Sequence, residues 1–289
     1  MKATPRPHLT LAAAVLCVSF GSILVRLAAA PPLAVAFHRV FLASLLLAPF
    51  GLPALRRHAS ALPRRERWLL AACGASLAVH FATWIASLSY TSVASSVLLV
   101  NTAPLFSLGL SRGFLGERAP AVVSAAIPAA VAGAGLIAVG DWAAGRESLF
   151  GDALALAGAV TLALYHVIGR GLRNALPLGA YVLAVWATAA GLLGALAWAG
   201  GVRLAPYPPR TFAVLLALAL VPTLGGHGLV NRALRLVPAP TVSLFMLGEP
   251  VGATLLALAA FGEVPTAWTL AGGSVVLASL AVVVRSGAA

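Results

Sequence analysis

Charge is scarce in this chain. Of its 289 residues only 9% are charged, while 61% are hydrophobic. So few charges cannot cover a water-facing surface, which excludes an ordinary soluble domain and leaves an integral membrane protein. Acidic residues number seven, and the sequence contains no P-loop, HExxH or GxSxG string. Asp141 and Asp152 fall at the ends of apolar runs and are not paired at membrane depth. An intramembrane protease or metalloenzyme is therefore disfavoured, and no catalytic residue, metal or cofactor is expected. Cysteine is nearly missing too. Cys17 and Cys73 both lie inside apolar runs and read as small packing residues, not as a disulfide or metal site. Long polar loops are also absent, so no nucleotide-binding domain fits between the runs and the chain cannot be an ATP-driven pump by itself.

Apolar runs are what the chain has in quantity. They are about twenty residues long, the length that crosses hydrocarbon as a helix. They lack the alternating ten-residue pattern of an outer-membrane barrel. Ten spans are predicted, at 8–29, 33–52, 68–89, 91–112, 119–139, 151–172, 180–200, 211–231, 238–261 and 266–284. The expected fold is thus an all-α membrane protein. Span one follows Lys2 and Arg6 and ends in Ala28-Ala29-Ala30, which imitates a cleavable signal peptide. Cleavage would delete the counterpart of span six, so span one is expected to stay.

That counterpart exists because the chain repeats itself. Pro31 and Pro177, Pro104 and Pro250, Gly116 and Gly262, and Glu117 and Glu263 are each 146 residues apart. Two five-helix halves are expected, 1–140 and 147–289. An odd number of spans per half turns the second upside down, the usual build of a secondary transporter around a midplane site. Basic residues give the orientation. With the N-terminus inside, the inner ends carry Lys2, Arg6, Arg56, Arg57, Arg64, Arg65, Arg67, Arg112, Arg118, Arg170, Arg173, Arg232, Arg235 and Arg285. The outer ends carry only Arg26, Arg146, Arg203 and Arg210. Positive residues concentrate on the cytoplasmic side of membrane proteins, so both termini are expected there. The net charge of +12 is thus a topology signal spread over span ends, and no nucleic-acid partner is expected.

Several side chains at membrane depth are candidates for chemistry. Glu249 precedes Pro250 in span nine; an ionisable group there costs at least ~2.5 kcal/mol and is a functional candidate by default. Its plain alternative is a cap or a salt bridge that holds the fold. Pro104, after Asn101-Thr102, is the repeat partner of Pro250. Paired prolines mark helix breaks or hinges beside a substrate site, or simple packing kinks. His80 and Trp84 share one helix face, as do His227 and Asn231 in the partner span. With Tyr165, His166 and Trp186 they would line a cavity of rings and hydrogen-bonding groups suited to an amphiphilic solute. Taken singly, each reads rather as interhelical glue or an interfacial anchor. Tyr90 at a span end reads as an anchor. Arg39, near the start of span two, is expected to snorkel to the interface. Gly133 with Gly135, Gly191 with Gly194, and Gly272-Gly273 are expected to allow close helix approach.

The order of short motifs carries a resemblance. Arg39 followed by Ala43, Leu88-Ser89-Tyr90-Thr91 before Ala94-Ser95, and Pro104 followed by Gly116-Glu117 all contribute. So do Gly151-Asp152-Ala153-Leu154 and Glu249-Pro250 followed by Gly262-Glu263. Together they resemble the EamA branch of the drug/metabolite transporter superfamily over nearly the whole chain. Span one departs from it, with Ser19-Phe20-Gly21 where many members have a tryptophan before a small polar pair. The resemblance implies a bacterial inner-membrane carrier that exports amino acids, aromatic or other neutral, or related metabolites by alternating access. Its helices would surround a central cavity, with spans five and ten at the back. The expected partners are a small-molecule substrate and the bilayer, and the expected state is a monomer. Two other readings stay open, a passive facilitator for small solutes and a membrane-embedded lipid-modifying enzyme.

Overall fold

The computed structural model describes residues 7–107, 110, 121–172, 176–233, 245–246 and 248–285. These form α1 (Pro7–Leu27), α2 (Pro32–Ala59), α3 (Arg64–Ser87), α4 (Val93–Val100), α5 (Ala121–Ala144) and α6 (Arg146–Leu172). There follow α7 (Leu178–Ala199), α8 (Pro209–Ala233), α9 (Gly248–Phe261) and α10 (Ala267–Arg285). No strand occurs among the described residues. Six helices there are long and apolar enough to cross a membrane, and four shorter apolar ones accompany them. Gly116, Glu117 and the start of span nine lie outside the described residues. So do Lys2, Arg6, Arg112, Arg118, Arg173 and Arg235 of the charge count.

Local chemistry explains where the helices begin. Pro31, Pro63, Pro177 and Pro208 hold the N-cap positions of α2, α3, α7 and α8 with extended backbone. A proline has no N–H to leave unsatisfied there, and its fixed φ launches the helix. Ser92 caps α4 by accepting from the backbone N–H of Ser95 at 3.0 Å, and Thr266 caps α10 by accepting from that of Thr269 at 3.0 Å. Two boundaries differ from the hydropathy reading. Helix α2 continues through Pro49 and Pro53 to Ala59, and α6 opens at Arg146, so Asp152 lies inside it rather than at its end.

Seven helices close into a ring in the order α1, α8, α2, α3, α6, α4, α9, with α9 returning to α1. Outside it, α7 packs on α2 and α3, and the α5–α10 pair backs onto α4 and α6. Lipid is as apolar as these side chains, so close packing rather than hydrophobic burial holds such helices together. Gly133 of α5 and Gly272 of α10 meet backbone to backbone; a Cβ at Gly133 would stand 2.7 Å from the Gly272 carbonyl oxygen. Gly273 abuts Leu98 and Gly194 abuts Phe37, whereas Gly135 and Gly191 face open space and make no close approach. Four tryptophans, Trp68, Trp142, Trp198 and Trp268, are exposed near helix ends, where indoles favour the lipid interface. The other two, Trp84 and Trp186, are buried.

Candidate functional site

Arg39 sits at the middle of the ring. Only 1% of it is exposed, so the snorkelling expectation is wrong. It lies seven residues beyond the start of α2, about 10 Å of helix rise from that end. Its guanidinium carbon lies 4.0 Å from the Phe81 ring centre and 5.5 Å from that of Trp84. Rings over a cation replace part of its lost hydration, and this is why the side chain stays inside. Arg39 Nε donates to Thr223 Oγ1 at 3.2 Å. Thr223 in turn donates to the Leu218 carbonyl at 2.9 Å. That contact skips five residues because Ala219–His227 winds as a π-helix around Pro222. Such wider turns recur at functional sites. Arg39 Nη1 and Trp84 Nε1 are buried and have no hydrogen-bond partner among the described residues.

Several of the candidate residues gather around this arginine. His80 and Trp84 stack in parallel, their ring centres 6.0 Å apart. His80 Nδ1 meets the Gly158 carbonyl at 2.9 Å; a carbonyl only accepts, so this nitrogen carries the hydrogen. His227 stands edge-on to Phe81 at 6.1 Å. His166 is exposed and lies within electrostatic range of His80 and His227. Glu249, half-buried in the first turn of α9, lies beside Asn101 and near Arg39, yet makes no ion pair with it. Asn101 ends α4 and donates to the Val97 carbonyl at 2.9 Å. The helix breaks at Asn101-Thr102 and resumes at Ala103-Pro104. Pro250 is buried within α9, but Leu247 just before that helix lies outside the described residues.

Tyr165 and Asn231 belong to a separate polar group. Tyr165 is within hydrogen-bonding reach of Asn231 and Tyr181, and the Tyr181 hydroxyl meets Cys73 Sγ at 3.3 Å. Trp186 lies buried in the core on α7, the helix that packs outside the ring on α2 and α3. Sequence reasoning missed Phe81 and Thr223. The signal for Thr223 was the proline before it in an otherwise apolar span.

One end of the ring is fastened by a second cluster it also missed. Gly262 adopts a φ of 68°, a conformation glycine tolerates, and turns the chain after α9 so that Glu263 reaches back. Glu263 pairs with Arg26 at the end of α1 and accepts from the backbone N–H of Val93 at 3.1 Å. Arg26 Nη2 donates to the Thr91 carbonyl at 2.7 Å, and Thr91 Oγ1 donates to Asp152 at 3.0 Å. The carboxylate rests at the start of α4 and the guanidinium at the end of α1, as helix dipoles favour. Beside this cluster lies a cavity of about 660 Å³, with Val35, Ile85 and Leu88 among its lining. Val35 and Ile85 lie one turn or less from Arg39 and Trp84 along their helices.

A multi-pass helical bundle with unpaired charges at its centre is the build of a membrane transporter. The chain belongs to the EamA-like transporter family, whose model matches residues 6–139 and again 149–285. Two relatives from Archaeoglobus fulgidus, both described as uncharacterized transporters, are similar along most of their length. One is 27% identical over 278 residues, covering 91% of each chain; the other is 26% identical over 287 residues, covering 95% of this chain and 96% of its own. A solved crystal structure shares the fold with a TM-score of 0.66 at 21% identity, covering 96% of this chain and 95% of the other.

Proposed function

We propose that the protein is a secondary transporter of the bacterial inner membrane that exports neutral amino acids, aromatic ones among them, by alternating access. One observation carries the substrate class. Arg39 and Glu249 stand near each other without pairing, inside a wall formed by Phe81, Trp84, His80 and His227. A neutral amino acid offers one charge of each sign and an apolar side chain, the complement of that arrangement. Alternating access draws support from the repeat, which fits two inverted halves, 1–140 and 147–289, and from the break at Asn101-Thr102. With the N-terminus inside, the Arg26–Glu263 end faces outward.

Liposomes holding the full chain test the reading. Labelled L-phenylalanine and L-leucine should enter saturably, and faster when the same amino acid is preloaded inside. Flux that rises linearly without such exchange marks a passive channel, and no flux of either probe overturns the amino-acid reading. Reporter fusions at Ala289 and near Glu147 should report opposite compartments; agreement between them would remove a span and undo the inversion.

A further inference from the structure

The two unpartnered donors at the centre point to one chemistry. Arg39 Nη1 and Trp84 Nε1 are both buried, both lack a partner among the described residues, and belong to groups 5.5 Å apart. Neither can accept a hydrogen bond, so whatever satisfies them must be an acceptor. A buried donor left unmade costs free energy, and a buried guanidinium more than most. Phe81 covers the guanidinium face, leaving its edge, and Thr223 already takes the Nε hydrogen on that edge. Glu249, the nearby acid, does not close the gap.

We infer that Arg39 and Trp84 form a carboxylate subsite, in which the guanidinium edge takes the ligand's carboxylate and the indole N–H adds a second donor. Two oxygens in a plane match a flat guanidinium edge. The choice of a carboxylate over a doubly charged phosphate follows from the local charges. Arg39 is the one permanent cation in the group, and Glu249 beside it repels a dianion. The neighbouring histidines carry a fixed charge only when protonated. This assignment rests on the amino-acid reading for its biological ligand, but its chemistry is separable from it.

Binding to the purified full chain, followed by thermal stabilisation and calorimetry, tests the subsite with four probes. These are L-phenylalanine, L-phenylalaninamide, 3-phenylpropionate and phenethylamine. L-Phenylalanine and 3-phenylpropionate should bind, and the amide and amine about tenfold or more weaker, since each lacks a charge-assisted contact. Arg39→Gln should abolish the difference between acid and amide. Trp84→Phe keeps the ring but removes the N–H, and should weaken only the two carboxylates. If Arg39→Gln does not fold, the wild-type panel and Trp84→Phe still decide. Equal binding of acid and amide to wild type, or binding of neither carboxylate, overturns the subsite. Binding of 3-phenylpropionate without L-phenylalanine keeps the subsite and overturns the amino-acid reading.

Discussion

Glu249 and Arg39 are both ionisable residues in apolar runs, and their sequence neighbourhoods gave opposite forecasts. Glu249 precedes a proline deep in a span, so its depth was legible. Arg39 is near a helix start, where its long side chain has two options. Which one it takes depends on Phe81 and Trp84, rings from another helix whose position no local pattern shows. A cation over two ring faces recovers about 0.5–2 kcal/mol per contact, enough to tip a residue close to the interface inward. Glu249 now has a sharper test. Glu249→Gln keeps shape and most hydrogen bonds. If the carboxylate meets the substrate ammonium, exchange of labelled L-phenylalanine in liposomes should fail. If it carries a coupled proton, exchange should persist while accumulation driven by a pH gradient is lost. Full activity with a lower melting temperature would reduce it to a structural cap.

Helices were the most legible level. Each of the ten apolar runs holds a helix among the described residues, because run length and proline-marked starts are local properties. Less legible were interruptions. Proline at 104 announced the break after Val100, but Pro49 and Pro53 sit inside an unbroken α2, with the same residue type giving the opposite result. A proline costs an interior helix about 3 kcal/mol or more, and only neighbours decide whether the helix parts, bends or widens. Around Pro222 it widens, and the π-turn aims Thr223 at Arg39. Pro222→Ala is therefore expected to raise thermal stability by allowing regular α-helix, and to slow transport by turning the Thr223 hydroxyl away. Unchanged transport in a stabilised Pro222→Ala protein would detach the π segment from function.

For the whole molecule, the all-helical membrane architecture and the family were readable in the sequence, while the fastening at the Arg26 end was not. Arg26 and Glu263 are 237 residues apart in sequence, and their pairing needs the ring to close first. Each side chain is 25% exposed, so the pair belongs with partly screened ones worth about 1 kcal/mol or less. A contact that weak would suit a closure that opens in each turn of the proposed cycle. Glu263→Gln should accordingly leave the melting temperature nearly unchanged yet expose the interior. In a background with Cys17 and Cys73 replaced by alanine, Ile85→Cys should react with a membrane-impermeant maleimide faster once Glu263 is neutralised. Equal labelling rates would mean that other contacts hold this end shut.

The meeting of Gly133 with Gly272 would also constrain the proposed cycle. Gly133 falls in the first stretch matched by the family model and Gly272 in the second, and their main chains touch, flanked by the side chains of Ile137 and Val276. A joint of that kind, flanked by stiff β-branched side chains, has little slack to take up. Spreading it would open an empty gap in the contact, whereas rolling one helix on the other keeps backbone against backbone. In the alternating-access cycle proposed above, the α5–α10 pair would act as an axle behind α4 and α6. The wall farthest from it in the ring, α2 with Arg39 and α8 with its π-turn, would then travel the longest arc.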